Sequence, residues 1–204
     1  MFKKDYWYAA IIGLITAFFV SIILINTDTN LSYRGYQISI WSLFIIFPLS
    51  EFIAYVIASK LFSHIIALKQ LGRFGIVGLM NFSVDTGIAV SLRVWTGVDV
   101  QSLRILYVFA ASGVVAIINS YYWQRAWTFA EKDPPSRAEF LRFVAITIGG
   151  IFVNSLMAFL VIKMLTPFEI GFLTDDRLVV VSKASAISVS LFWNFLGYKF
   201  FVFK

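Results

Sequence analysis

The stretch from Arg73 to Val90, RFGIVGLMNFSVDTGIAV, decides how this chain is read. It is apolar for most of its length, yet Asn81 and Asp85 stand near its middle. A carboxylate in such a run is a question about solvent, and composition answers it.

The chain has 204 residues, of which 60% are hydrophobic and only 14% charged. That is too little polar surface to clothe a water-soluble fold, so the solvent is a bilayer. About six long apolar runs follow one another: Tyr8 to Ile25, Ile38 to Ala58, Phe74 to Trp95, Ile105 to Trp123, Phe143 to Leu165 and Val179 to Tyr198. Each approaches the ~20 residues a helix needs to cross hydrocarbon. None alternates as a barrel strand would. The expected fold is therefore an all-α membrane protein, a bundle of about six transmembrane helices. The first run, behind Lys3 and Lys4, reads as a retained helix, because NTDTN after it offers no small-residue cleavage site.

Lys and Arg set the orientation. With the N-terminus inside, the outer side holds only Arg34, Arg93, Arg104, Lys163, Arg177 and Lys183, which predicts that both termini are cytoplasmic. The net charge of +6 then reflects topology and anionic headgroups, not nucleic acid. Cysteine is absent, so disulfides, thiolate metal sites and a cysteine nucleophile are excluded.

RFGIVGLMNFSVDTGIAV aligns without gaps to RFVAITIGGIFVNSLMAF, from Arg142 to Phe159. Arg-Phe opens both, and Asp85 matches Asn154. Gly78, Asn81, Asp85 and Ala89 correspond to Thr147, Gly150, Asn154 and Ala158, a stripe on one helix face in each copy. The partner helices also end alike, in QRAWTF and YKFFVF. Four of the helices thus read as two parallel-repeated hairpins, about 73–129 and 142–203.

Asp85 lies about 16 Å beyond Phe74 at helical rise, close to the midplane. A charge there costs about 3 kcal/mol on insertion scales, so it must face protein or water. Arg93 and Lys183 are its candidate charge partners. Asn81, Asp85, Asn154 and Asn194 read as a polar groove for a substrate headgroup, the alternative being that they only join helices. Glu51 is a second acid in an apolar run, a counter-charge or proton carrier if not a seal between helices, and Pro48 before it should kink that helix. Arg73, Arg125, Arg142 and Lys199 at the cytoplasmic entry would grip a lipid phosphate, or merely anchor the chain. No phosphate-binding glycine loop, nucleophile with a histidine partner or metal cluster is present, so no enzyme activity and no metal are expected.

These residues resemble the GtrA-like family of small multi-pass membrane proteins. RFGIVGLMNFSVD looks like its opening of Arg-Phe, a glycine, an asparagine and an aspartate; RAWTF and NFLGYKFFVF look like its endings. The likeness covers about residues 69–204, a four-helix domain. Residues 1–68 then form two additional transmembrane helices and an interfacial amphipathic segment in SKLFSHIIALKQLG. The resemblance implies flipping of a polyprenyl-phosphate-linked sugar, such as undecaprenyl phosphate glucose, across the bacterial cytoplasmic membrane, for glycosylation of a cell-envelope polysaccharide. It implies no cofactor, and as partners the sugar lipid, membrane lipids and a membrane glycosyltransferase. The alternatives are a non-transporting scaffold for that transferase and the return of spent polyprenyl phosphate. A homo-oligomer is compatible with either.

Overall fold

The computed structural model describes residues 2–28, 32–33, 36–37, 39–62, 64–99, 101–165 and 175–203, with the side chains of residues 2–3, 32–33, 36–37, 175–180 and 183–184 excepted. Helix α1 (Phe2–Asn26) is followed by a minimal antiparallel ribbon, β1 (Ser32–Tyr33) with β2 (Tyr36–Gln37). Then come α2 (Leu43–Leu61), α3 (Ile66–Thr96), α4 (Ile105–Trp123), α5 (Arg137–Leu165) and α6 (Asp175–Gly197). The expected apolar runs are therefore helices. Lys4–Asn26, Ile40–Leu61, Ile66–Thr96, Ile105–Thr128 and Arg137–Leu165 are five segments long and apolar enough to cross a membrane. At 23 residues, α6 is about 35 Å long.

Side chains halfway along these helices face outward while apolar: Ile53 is 45% exposed, Phe82 67% and Phe152 68%. Water would not tolerate a surface of that kind, whereas lipid tails are as apolar as the side chains themselves.

The chain divides into two compact units, Met1–Ala130 and Glu131–Lys204. In the first, α1 packs on α2 and α3, and α3 packs on α4. Gly13 is what lets α1 and α2 approach: a Cβ there would overlap the backbone of Pro48, which lies inside α2. Ala9, Ile12, Tyr55, Val77, Met80 and Trp127 form the core of this unit. The second unit is the α5–α6 hairpin, with Phe143, Phe195, Tyr198 and Phe203 buried.

The segment SKLFSHIIALKQLG is divided between the end of α2 and the start of α3. Leu61 ends α2, Ile66 opens α3, and Leu68 already belongs to it. Ile65 is extended (φ −118°, ψ 100°), and its amide donates back to the carbonyl of Phe62 at 3.1 Å. The bend falls at that residue, and α3 absorbs the rest: its 31 residues make about 46 Å, more than a hydrocarbon core requires. Gly97, at φ 65°, ends α3 in the left-handed conformation that a side chain resists.

Both hairpins finish in a π turn, Gln124–Thr128 after α4 and Tyr198–Val202 after α6. Each is closed by an amide reaching back five residues, Phe129 to Gln124 at 2.9 Å and Phe203 to Tyr198 at 2.8 Å. Such wide turns are rare inside helices and often mark functional positions.

Candidate functional site

Polar residues on the apolar helices are brought together within each hairpin. In the first unit the Asn119 Nδ2 donates to Asn81 Oδ1 at 3.2 Å, joining α4 to α3. In the second the Asn154 Nδ2 donates to Ser190 Oγ at 3.2 Å, joining α5 to α6. Asn194 packs over Gly150, where a Cβ would overlap its amide, and its Oδ1 is buried with no hydrogen-bond partner among the described residues. The glycine at 150 thus makes room for the asparagine. Below it, Thr147 Oγ1 and the Tyr198 hydroxyl lie 2.7 Å apart, and the Tyr198 ring stacks on Phe143 at 4.2 Å.

Asp85 differs from these. It lines a cavity of about 300 Å³ between α3 and α4 with Arg93, Thr86, Phe109 and Ser112. No described residue hydrogen-bonds or ion-pairs with it. Arg93, eight residues and about 12 Å farther along α3, shares the cavity but forms no ion pair with Asp85. Lys183, the other charge partner considered, has its side chain outside the described residues. Glu51 is buried as expected, 3% exposed, and accepts a hydrogen bond from Thr16 of α1 at 2.8 Å; its Oε2 has no partner among the described residues.

The arginines that open the repeats each reach the π turn of the partner helix. Arg73 Nη1 donates to the carbonyl of Trp127 at 3.1 Å, and Arg142 Nη1 to the carbonyl of Phe201 at 3.2 Å. Trp127 and Phe201 hold the same place in QRAWTF and YKFFVF, so the correspondence seen in the sequence extends to a hydrogen bond. Their surroundings diverge. Arg73 is only 15% exposed and forms an ion pair with Asp5 of α1 at 2.9 Å. That carboxylate also accepts from the Tyr55 hydroxyl and the Trp127 indole, both at 3.1 Å. The guanidinium carbon lies 5.8 Å from the Tyr55 ring and 5.9 Å from the Trp127 ring. The sequence reading missed Asp5, because nothing local marks which residue it meets. Arg142, by contrast, is exposed. Lys199 lies in the same turn as Phe201, against the rings of Phe195 and Phe200. Arg125 occupies the matching place in the first turn.

The region bounded by these features, residues 73–203, matches the family described as GtrA/DPMS, transmembrane domain. The chain belongs to this family. The GtrA/DPMS domain begins at Arg73 itself and ends at Phe203, whose amide closes the second π turn. Helices α1 and α2 precede the matched region. A similar curated protein is the "Uncharacterized membrane protein YngA" of Bacillus subtilis (strain 168), 31% identical over 138 residues, which are 67% of this chain and 80% of that protein. No solved structure matches. The GtrA/DPMS membership and the helices agree on a multi-pass membrane protein with a domain type linked to polyprenyl-phosphate sugars. Among the described residues no cluster of His, Cys, Asp and Glu could hold a metal.

Proposed function

We propose that the chain moves a polyprenyl-phosphate-linked sugar, undecaprenyl phosphate glucose being the type, across a bacterial cytoplasmic membrane, where a membrane glycosyltransferase uses it on a cell-envelope polysaccharide. The observation that carries this reading is Asp85: a carboxylate in a family-matched span, without a partner among the described residues, on a cavity it shares with Arg93 and Ser112. A residue serving only to join helices would be hydrogen-bonded across the interface, as Asn81 is to Asn119. An acid left facing a cavity can instead accept hydrogen bonds from sugar hydroxyls. Asn81 and Asn154 are each taken up in a hydrogen bond inside their own hairpin, whereas Asn194, within the second hairpin, keeps a buried Oδ1 without a partner among the described residues. The prenyl chain stays in lipid, since only the headgroup needs shelter from hydrocarbon.

In this reading the hairpins form a parallel repeat, both termini are cytoplasmic, and the basic residues Arg142 and Lys199 of the second hairpin meet the phosphate on the cytoplasmic side. The Lys and Arg distribution supports that orientation. The chain performs no chemistry on the lipid; it lowers the barrier to passage of the headgroup. The interhelical hydrogen bonds of Asn119 with Asn81 and of Asn154 with Ser190 also suit a rigid scaffold that recruits the transferase, and one experiment separates the two readings. Purified protein in liposomes should accelerate exposure of the sugar lipid at the far leaflet, and Asp85→Leu should return the rate to that of empty liposomes. Equal rates for wild type and Asp85→Leu would remove the groove, and no acceleration at all would leave the scaffold.

A further inference from the structure

The two hairpins carry the same arginine-to-turn hydrogen bond, and among the described residues only one of the two arginines is satisfied by an acid. Nη1 goes to the carbonyl of Trp127 in one and of Phe201 in the other, so both guanidinium groups approach their π turns in the same way. At Arg73, Nη2 is taken by Asp5 Oδ2 at 2.9 Å, and Tyr55 and Trp127 fix that carboxylate with two further donors. Three donors converging on one carboxylate make an anion site already filled from within the chain. At Arg142 the side chain is exposed and has no ion pair among the described residues. Glu139, one turn earlier on α5, is buried and has partners of its own. Lys199 adds a second cation two residues before the carbonyl that Arg142 caps.

We propose that a prenyl phosphate is held through its phosphate at the end of the α5–α6 hairpin, by Arg142 with Lys199, and that Asp5 is the built-in anion that closes the matching position on Arg73. This deepens the transport reading and rests on it for the choice of a lipid. The chemistry is that of a guanidinium offering two N–H groups to a tetrahedral oxyanion, which an ammonium cannot reproduce. The added helix α1 therefore makes the two repeats unequal, leaving one phosphate position per chain.

The test is calorimetric titration of the full chain in detergent micelles with farnesyl phosphate, alongside farnesol and inorganic phosphate. Farnesyl phosphate should bind at one site per chain and at least tenfold more tightly than inorganic phosphate, and farnesol should not bind. Arg142→Gln should weaken binding at least tenfold and Arg142→Lys at least threefold, although the lysine would serve equally well as a simple interfacial anchor. Arg73→Lys, which keeps the buried charge, should bind within twofold of wild type. Equal affinity for inorganic phosphate would make this a free-phosphate site and overturn the lipid assignment. Wild-type binding by Arg142→Gln, or a loss in folded Arg73→Lys as large as in Arg142→Gln, would overturn the asymmetry. The same variants in the liposome assay keep the two claims apart. Binding without transport sinks the transport reading alone, and undiminished transport and binding by Arg142→Gln sinks this site alone.

Discussion

At the scale of single residues, Asp5 and Arg73 form an ion pair that ties α1 to α3 in the first unit. The pair is almost wholly shielded, with the two side chains 13% and 15% exposed, so removing one member strands the other in a low-dielectric setting. Asp5→Ala is expected to destabilise the protein by about 3 kcal/mol. Removing both charges together, as Asp5→Ala with Arg73→Met, should cost clearly less than the sum of the single changes, and a double-mutant cycle on thermal melting in detergent checks it. Additive losses would mean that the pair is not coupled. Asp85 behaves differently, having no described partner to strand. Asp85→Asn keeps the shape and a hydrogen-bonding group and makes the position like Asn154. Melting should be nearly unchanged while transport of the sugar lipid falls, and a variant that transports at the wild-type rate would show that the charge is dispensable. The acid in Arg73 to Val90 was plain in the sequence, as was its depth. That it lines a cavity rather than meeting Arg93 depends on how α4 lies against α3.

At the scale of elements, close approach between helices rests on a few glycines, and the sequence does not say which. Gly150 gives way to the side chain of Asn194, and Gly197 lies against Ile146 of α5, where a Cβ would come within 2.5 Å of its Cγ2. Gly78, in the stripe that aligns with Thr147, has nothing within 4 Å of where a Cβ would sit. Gly150→Ala should therefore destabilise by about 1–3 kcal/mol through overpacking. Gly78→Ala should be neutral or stabilising by up to about 1 kcal/mol, because alanine is the better helix former. Comparing the two melting temperatures tests this, and similar losses would refute the difference in packing. The π turns belong to the same scale. The alignment of QRAWTF with YKFFVF found their positions, but the wide hydrogen-bond ring appears only when Phe129 and Phe203 close it.

At the scale of the whole molecule, the absence of cysteine makes orientation easy to measure. In intact cells a membrane-impermeant maleimide should label Asp99→Cys, in the loop between α3 and α4, and should label Glu131→Cys, in the loop between α4 and α5, only after permeabilisation. The opposite pattern would invert the proposed topology. The sequence by itself determined the solvent, the helices and their approximate ends, and the matched pairs Arg73 with Arg142 and Asp85 with Asn154. These follow from hydropathy over some twenty residues and from self-similarity, both of which are local or linear properties. Only the tertiary structure decided that Asp5 meets Arg73 across 68 residues of sequence, and that Arg142 has no such acid among the described residues. A charge in a chain shows its sign and its depth, whereas its partner is chosen by which helices pack together. That packing set apart two arginines that open their repeats with the same Arg-Phe pair.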